Sequence, residues 1–483
     1  MEKLPYDKTD PKSIEVYAKK LLNKSLNDVL GKGIVQKYNG KGKLGQVLED
    51  LYFQYKPNSN SEPDFSEAGL ELKTTPIKEI NKGYVSKERL VFNIINYNEE
   101  YKESFKSSSF WKKNQLLLLM FYLHEHEKLD LDYKFKIIRL WRFPITDLKI
   151  IKDDWERVIH KIKTGKAHEL SEGDTFYLGA CTKGANNTSL RTQPFSTEMA
   201  MQRAFSLKSK YLNFIIEKNY SGNEELEKIT ADYLKVINES SPSFDVLEDY
   251  KVSYKRKLKD SESVVKSIHD YSEGETFESL IIKKFSRFYG KSQSQLIKEL
   301  DIKTENGILP KNIGNVIARN IMGVKKGHIE EFVKADIEMK TIRLKINGTP
   351  KESMSFAQIK YKEIIKEDWE SSYLFETLTK RFFFVVFQMK DDKDKDPILS
   401  KVMFWTMPVK DLKVAKIFWQ HIVSKILDDD YEHFYKLSDR MICHIRPKGI
   451  NSKDLMESPQ GKLEKKKCYW LNAEYIKEQI NKG

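Results

Sequence analysis

The sequence predicts an α/β fold with mixed sheets of the α+β kind, organised as two tandem copies of one domain, of which the second is degenerate. Apolar runs at residues 116–123 and 382–387 predict one buried strand in each half. Apolar side chains at helical spacing predict an amphipathic helix over residues 42–53. Motifs that occur twice in one register predict the duplication.

The duplicated motifs share nearly one offset. Each first member is followed by its second after 264 or 265 residues (356 − 92, 408 − 144, 448 − 183). Chance matches would not share a register, so we interpret them as two copies of one domain. The three pairs are Phe92-x-x-Ile95-x-Tyr97 with Phe356-x-x-Ile359-x-Tyr361, Pro144-x-x-Asp147-Leu148-Lys149 with Pro408-x-x-Asp411-Leu412-Lys413, and Lys183-Gly184-x-Asn186 with Lys448-Gly449-x-Asn451.

The repeats divide the chain into three predicted segments. Residues 1–218 form the first domain and residues 265–483 the second. Residues 219–264 are polar and charged with weak apolar spacing, which predicts a linker that contains a short helix.

Composition narrows the class of partner. The 483 residues include 84 Lys and Arg against 71 Asp and Glu, a net charge of +13. Such an excess suits a polyanion such as nucleic acid, although many basic proteins bind none. Three cysteines without C-x-x-C spacing argue against a disulfide scaffold and a zinc site. The first eight residues lack the apolar core of a signal peptide, and no apolar run approaches the roughly 20 residues of a membrane span. We therefore expect a soluble, cytoplasmic protein with no membrane partner.

Residues 63–75 have the pattern of a metal-dependent nuclease centre. Alternating apolar residues predict a strand that carries Glu71 and Lys73 on one face. Asp64, in the preceding turn, adds a second carboxylate. Such oxygen ligands suit Mg²⁺, and Lys73 would stabilise charge on the phosphorus oxygens. The alternative is a solvated strand face, because Glu-x-Lys triplets are common in a chain that is 32% charged.

Two neighbouring segments bear on this centre. In the predicted helix at residues 42–53, Glu49 lies near the edge of the apolar stripe, where it would add a third carboxylate. Hydroxyls and lysines at residues 107–113 predict either contacts to phosphates or a plain helix start.

Several of these residues together resemble one known family. They are Lys41-Gly42-x-x-Gly45-x-x-Leu48-Glu49, Pro63-Asp64, Gly69-Leu70-Glu71-Leu72-Lys73-Thr74, Lys183-Gly184-x-Asn186, and blocks at residues 87–97, 165–173 and 203–209. The pattern is similar to the MutH and Sau-type family of GATC-specific DNA endonucleases, which includes two-domain type II restriction endonucleases. The resemblance implies two MutH-like domains of the restriction-endonuclease fold and Mg²⁺ as the cofactor. It further implies Asp64, Glu71 and Lys73 as catalytic residues, Glu49 as an accessory one, and the three carboxylates as metal ligands.

The second copy has lost part of this set. Glu338 and Lys340 match Glu71 and Lys73, but Glu331 stands where Asp64 is expected, and Ala318 where Glu49 is expected. Because Mg²⁺ tolerates little change in ligand position, we predict that the second domain is catalytically inactive or severely weakened.

Both copies keep a Lys-Gly-x-Asn loop, which in MutH reads bases in the major groove. The resemblance therefore implies DNA binding by both loops. Arg and Lys side chains suit guanine, Asn suits adenine, and Gly permits close approach. The alternative is ordinary surface lysines after a strand. The predicted DNA-binding residues are Lys183, Gly184 and Asn186 in the first loop, and Arg446, Lys448 and Asn451 in the second.

The sequence thus predicts a type II restriction endonuclease that cuts double-stranded DNA at GATC, with the second domain binding another site as an allosteric effector. One cutting centre per chain favours a transient homodimer on DNA. A cognate DNA methyltransferase is the expected partner in the same system. The alternatives are a strand-nicking repair endonuclease and a non-catalytic sequence-specific DNA-binding regulator.

Overall fold

The computed structural model describes residues 4–31, 43–55, 62–81, 83–184, 189–220, 226–238, 261–303, 309–449, 451 and 454–482. They form two compact units. The first comprises Met1–Leu170, Thr175–Gly274 and Glu330–Asp336, and the second comprises Ser171–Asp174, Glu275–Ile329 and Ile337–Gly483. The domain boundaries drawn from the sequence stay a prediction. No helix in the described ranges is long and apolar enough to cross a membrane.

Helices of four to nineteen residues occur in both units. They are α1 (Pro11–Ala18), α2 (Leu26–Leu30), α3 (Lys43–Val47), α4 (Tyr97–Glu100), α5 (Ser109–Asn114), α6 (Ile145–Lys163), α7 (Ser209–Tyr220), α8 (Ala231–Asn238), α9 (Phe277–Ser286), α10 (Gln293–Glu299), α11 (Ile313–Ile321), α12 (Glu330–Ala335), α13 (Tyr361–Ile364), α14 (Tyr373–Leu378), α15 (Val409–Leu427) and α16 (Ala473–Lys482).

The strands are likewise shared between the units. They are β1 (Glu71–Ile80), β2 (Gly83–Ser86), β3 (Leu90–Ile94), β4 (Leu117–Leu123), β5 (Phe135–Trp141), β6 (Leu178–Thr182), β7 (Leu190–Gln193), β8 (Ser196–Met201), β9 (Arg203–Leu207), β10 (Ser261–Glu262), β11 (His328–Ile329), β12 (Glu338–Leu344), β13 (Met354–Gln358), β14 (Arg381–Gln388), β15 (Ile398–Thr406), β16 (Cys443–Pro447), β17 (Leu455–Glu457), β18 (Leu463–Lys465) and β19 (Lys467–Leu471).

The first unit is built on a mixed sheet of strand order β2-β1-β4-β5. β1 runs parallel to β4, with Glu71 opposite Leu117, and β5 is antiparallel to β4. A second, antiparallel sheet has the order β3-β9-β6. The predicted buried strand at residues 116–123 is confirmed as β4, whose first five residues are buried because both faces are covered.

The second unit repeats this arrangement. Its mixed sheet has the order β12-β14-β15, in which β12 is parallel to β14 and Glu338 is opposite Phe382. Its antiparallel sheet has the order β13-β19-β16. α15 follows Pro408 as α6 follows Pro144, and both helices have nineteen residues. The predicted tandem α/β copies are confirmed.

Each unit has its own apolar core. In the first, Leu44, Val47 and Leu48 pack with Leu72 and with residues of β4 and β5 in one cluster of buried side chains. In the second, the cluster joins β12, β14 and β15 to α15 and α16. The helix predicted at residues 42–53 is therefore amphipathic as expected, but only its first part is α-helical. It continues as a π-type turn at Leu48–Tyr52.

Candidate active site

The strand β1 places Glu71 and Lys73 side by side. Period-two alternation turns Leu72 to the core and both charged residues to the other face. The Lys73 ammonium donates to Glu71 Oε1 over 2.6 Å. Glu71 is only 1% exposed and Lys73 is 18% exposed, so the pair is shielded from water rather than lying on a solvated strand face. The predicted juxtaposition is present.

Asp64 is held beside this pair by two hydrogen bonds. The Leu72 amide donates to Asp64 Oδ2 over 3.0 Å, and the Asp64 amide donates to Glu71 Oε2 over 3.1 Å. The connecting turn closes through Gly69, whose φ of +60° lies in the left-handed region that glycine adopts without steric cost. The two carboxyl groups are thus locked to one another by the backbone.

Glu49 approaches the same place from the π-type turn, a backbone form often found at functional sites. Burial, with repulsion by Asp64, raises the pKa of Glu49 to about 7. Burial also raises the pKa of Glu71 to about 7, although the neighbouring Lys73 opposes the rise. Three carboxyl groups, Glu49, Asp64 and Glu71, therefore repel one another in a poorly solvated site, and a bound cation would relieve that repulsion.

The donor set fits a divalent cation that prefers oxygen ligands. Carboxylate oxygens are the ligands of hard cations, and mutual repulsion among them favours cation binding. No three Asp, Glu, His or Cys side chains of the described ranges converge into a preformed metal-ligand cluster. Asp64 and Glu71 are the residues that would hold the ion, with Glu49 as an accessory ligand.

Lys113 is a functional candidate that sequence analysis did not single out from the segment at residues 107–113. α5 begins at the capping residue Ser108, whose hydroxyl accepts from the Trp111 amide over 3.0 Å. This cap fixes the helix so that Lys113, 16% exposed, lies 3.6 Å from Glu71 Oε1. A second ammonium group therefore faces the carboxylates. Its counterpart in the repeated helix α14 is Thr377, so only contact in the fold, not the motif, reveals it.

Lys113→Ala is expected to slow DNA cleavage by about a hundredfold, the cost of losing one group that stabilises transition-state charge. Single-turnover cleavage of a duplex measures the effect. The matched control is Lys112→Ala, because Lys112 is the exposed neighbour on the same helix. Equal rates for the two variants would contradict a catalytic role for Lys113.

Tyr55 is a second residue that the sequence did not indicate. Its amide donates to the Glu49 carbonyl over 3.1 Å, and its ring packs edge-on against Phe65 at 4.9 Å. Burial and the charges of Asp64 and Glu49 raise the pKa of the phenol. The buried Tyr55 hydroxyl has no hydrogen-bond partner within the part of the chain that the structure describes. A buried donor in this condition lowers stability unless a bound group accepts from it.

Tyr55→Phe is expected to have opposite effects on stability and activity. Without metal, the free energy of unfolding should stay level or rise by about 1–3 kcal/mol, because an unsatisfied buried group is removed. Cleavage should slow by about ten- to a hundredfold, because the Tyr55 hydroxyl can no longer donate a hydrogen bond to a charged group bound in the active site. Tyr52→Phe is the control: its hydroxyl donates to the Tyr17 carbonyl over 2.8 Å, so stability should fall and cleavage persist. Parallel losses of stability and activity in Tyr55→Phe would refute this prediction.

The first predicted DNA-binding loop follows β6. Lys183 is exposed, and its amide donates to the Gln202 carbonyl over 2.8 Å. Gly184 has a φ of +154°, which favours glycine at this turn. Asn186 lies outside the described residues. The two described members of the loop are therefore accessible to a macromolecule.

The second predicted loop follows β16 and is supported by β19 and β13. Arg446 and Lys448 lie over the Trp470 ring, with 5.2 and 5.5 Å to its centroid. The Lys448 ammonium donates to the Ser355 hydroxyl over 2.9 Å. Asn451 is exposed. The end of β16 and the loop that follows it thus present two cations, Arg446 and Lys448, that pack on one aromatic ring.

The second copy differs from the first at the positions of Asp64 and Glu49. Glu338 and Lys340 form a pair at 2.5 Å, as Glu71 and Lys73 do. Ala318 of α11 is a buried apolar residue where Glu49 was expected. Glu331 does not join the pair: it lies in α12, within the first unit, where its carboxylate accepts from the amides of Val264 and Val265.

Comparison with known proteins agrees with the two-copy architecture. A family model described as the DNA mismatch repair enzyme MutH matches residues 53–154 and 325–416. The chain is 32% identical over 517 aligned residues to the type II restriction enzyme Sau3AI of Staphylococcus aureus, covering 96% of this chain and 98% of that protein. It is also 28% identical to the DNA mismatch repair protein MutH of Shewanella woodyi, over 37% of this chain and 78% of that protein.

The matched regions contain the core of the site. Asp64, Glu71, Lys73 and Lys113 fall in the first match, and Glu338 falls in the second. With a relative more than 30% identical along almost its whole length, this chain belongs to the MutH-related family of DNA endonucleases that includes Sau3AI, and it is a site-specific deoxyribonuclease.

Proposed function

We propose that this endonuclease cuts both strands of double-stranded DNA at GATC in a Mg²⁺-dependent reaction. The observation that carries the proposal is the buried pair of Glu71 and Lys73, with Asp64 bonded to the same strand. The similarity to a type II restriction enzyme along the whole chain supports double-strand cutting. The choice of GATC follows from the motifs shared with the family.

The side chains divide the chemistry among them. Asp64 and Glu71 supply oxygen ligands, and Glu49 adds a third carboxylate nearby. A Mg²⁺ ion held by these carboxylates would supply Lewis-acid chemistry to the scissile phosphate and to the attacking water. Lys73 and Lys113 hold positive charge beside Glu71 and stabilise negative charge on the phosphate oxygens. Cleavage that releases the 3′ oxygen leaves a 5′-phosphate.

The second copy serves as an effector in this proposal. Its pair of Glu338 and Lys340 lacks the partner carboxylates, so it does not cut. Arg446 and Lys448 bind a second GATC site, and occupancy of that site activates the first copy. Because each chain has one cutting centre, a transient homodimer on DNA completes the double-strand break. A cognate methyltransferase in the same system would protect the host DNA.

Purified protein, incubated with unmethylated plasmid that carries several GATC sites, tests the reaction. The expected result is double-strand cuts confined to GATC in Mg²⁺ and none in EDTA, read by mapping the ends. Nicks alone would point to repair-type nicking. Tight binding without cleavage would point to a non-catalytic regulator, and cuts elsewhere would exclude GATC.

The effector role has its own test. A short GATC duplex added in trans should accelerate cleavage of a single-site plasmid by the wild-type protein. The double variant Arg446→Ala/Lys448→Ala should lose this stimulation. The double variant Lys390→Ala/Lys393→Ala removes the same charge from an exposed hairpin and should keep it. Stimulation that survives in the first variant would refute the proposed effector site.

A further inference from the structure

The second unit contains a cavity of about 220 Å³ beside β12. Three cations line it: Lys340 and Arg343 on the strand, and Lys351 on the segment that leads to β13. Two hydroxyl groups, those of Ser353 and Ser355, lie in the same wall. The cavity begins at the residue that corresponds to Lys73 and runs along the strand from there.

The charge of this region is opposite in sign to that of the catalytic centre. In the first copy, three carboxylates face two lysines. In the second, Ala318 replaces one carboxylate, and Glu331 is buried elsewhere, within the first unit. The acidic residues that remain at the cavity are Glu338 and Glu352, against three cations. Loss of carboxylates thus removes the attraction for a metal ion and leaves a net attraction for an anion.

The cations stay available to a ligand. Arg343 pairs with Glu352 at 3.4 Å, but these side chains are 43% and 73% exposed, and exposed pairs of this kind contribute little. The Lys351 ammonium donates to the Asp392 carbonyl over a long distance of 3.3 Å. Lys340 keeps its partner Glu338 while its ammonium lies 5.8 Å from the centroid of the Phe356 ring. An entering anion would therefore displace weak contacts only.

The cavity is continuous with the second DNA-binding loop. Ser355, in the cavity wall, accepts a hydrogen bond from the Lys448 ammonium over 2.9 Å. Gln358, on the same strand β13, donates to the Lys448 carbonyl over 3.0 Å. The loop proposed to read bases and the cationic cavity are thus joined through one strand, as a base-reading element and a backbone-holding element need to be.

We propose that this cavity binds a backbone phosphate of the effector DNA directly, without a metal ion. The inference rests on the proposed binding of a second DNA site by this unit. In this proposal, the phosphate is contacted by Lys340, Arg343 and Lys351. The bases are contacted by Arg446 and Lys448. The degenerate copy has replaced a metal-mediated hold on phosphate by a purely cationic one.

The test is DNA binding by the full chain carrying Glu71→Ala, which prevents cutting. A fluorescent duplex with one GATC site is titrated in EDTA at several salt concentrations. The phase of the binding curve that is lost in the double variant Arg446→Ala/Lys448→Ala is assigned to the second unit. In that phase, the triple variant Lys340→Ala/Arg343→Ala/Lys351→Ala should bind about tenfold or more weakly, and the slope of log affinity against log salt should fall by about 1, because one phosphate contact is lost.

The control is Lys366→Ala/Lys410→Ala/Lys413→Ala, which removes the same charge from exposed positions that do not line the cavity and should change the slope much less. The single variant Arg343→Ala, at an exposed position, tests the same contact if the triple variant does not fold. The cavity proposal is wrong if the triple variant and the control have the same affinity and salt slope. The proposed effector site is still supported in that case, provided that Arg446→Ala/Lys448→Ala loses the binding phase of the second unit. If the loop variant also keeps the phase, the effector site itself is wrong. A phase that appears only with Mg²⁺ would overturn metal-free binding.

Discussion

Glu71→Ala is expected to slow DNA cleavage by about three orders of magnitude or more, because the site loses a proposed ligand of the cation, and several kcal/mol of transition-state stabilisation would depend on that cation. The same substitution at Glu338, its counterpart in the second copy, should leave cleavage chemistry close to wild type. Glu71 and Glu338 match in sequence and in strand register. A difference between the two variants in cleavage rate would therefore be due to the residues that surround each glutamate.

The surroundings explain the expected asymmetry. Glu71 is 1% exposed, bonded to Asp64, and flanked by Lys73 and Lys113. Glu338 is 41% exposed and has Lys340 as its partner, with Ala318 in place of a further carboxylate. A single half-exposed carboxylate cannot fix a cation whose ligand geometry is demanding.

Single-turnover cleavage with excess enzyme separates chemistry from binding. Glu79→Ala is the matched control, because Glu79 is exposed at the far end of the same strand β1. Binding of DNA in EDTA should persist in Glu71→Ala. Cleavage at the wild-type rate in Glu71→Ala would place the centre elsewhere, and its loss in Glu338→Ala would mean that the second copy also cuts.

Lys334→Met is expected to lower the free energy of unfolding by about 3–5 kcal/mol, the cost of leaving a buried charge without its partner. Lys334 is 4% exposed and lies 2.7 Å from Asp147 Oδ1 and 2.9 Å from Glu330 Oε1. Burial by itself lowers the pKa of Lys334, but attraction to Asp147 and Glu330 outweighs burial and the pKa is raised. The charged form is therefore the one that the first unit stabilises.

Removing the ammonium leaves Asp147 with one hydroxyl donor among its described contacts, that of Tyr211 at 2.9 Å. The space around Lys334 is aromatic, with the Phe214 ring centroid 4.0 Å from its nitrogen, so water cannot readily replace it. Adding Asp147→Asn to the Lys334→Met variant should recover part of the lost free energy of unfolding. The amide has no charge to leave unpaired, and its oxygen can still accept from the Tyr211 hydroxyl.

Urea denaturation measures this prediction through a shift of the midpoint at constant m-value. Lys128→Met is the control, since Lys128 and Glu125 pair at 2.7 Å but are 41% and 37% exposed; its expected cost is at most about 1 kcal/mol. Equal shifts for the two variants would show that the buried network does not stabilise the first unit.

Much of the fold and the core of the site were predictable because their signals are local. The duplication appears as motifs in one register. The structure confirms it, because β1-β4-β5 corresponds in order to β12-β14-β15, and β3-β9-β6 corresponds to β13-β19-β16. Glu71 and Lys73 alternate on one strand, so their side chains must share a face. Asp64 is joined to them by a short turn, which limits how far its carboxylate can stray.

Other residues depend on contacts that no short motif encodes. The Lys113 ammonium lies 3.6 Å from Glu71 Oε1 although the two residues are 42 positions apart (113 − 71). Tyr55 follows the π-type turn at Leu48–Tyr52, where the charges of Asp64 and Glu49 act on its phenol. The sequence analysis identified the segment at residues 107–113, which contains Lys113, but it did not identify Tyr55.

The sequence by itself determined the two copies, the strand that carries Glu71 and Lys73 on one face, and the loss of carboxylates from the second copy, because these are properties of residue identity and spacing. The tertiary structure alone decided the surroundings of each charge. It buries Glu331 in the first unit, where it accepts from Val264 and Val265, and it lines a cavity of the second with Lys340, Arg343 and Lys351. Whether a site attracts a metal ion or a phosphate depends on the sum of neighbouring charges and their burial, which only folding brings together.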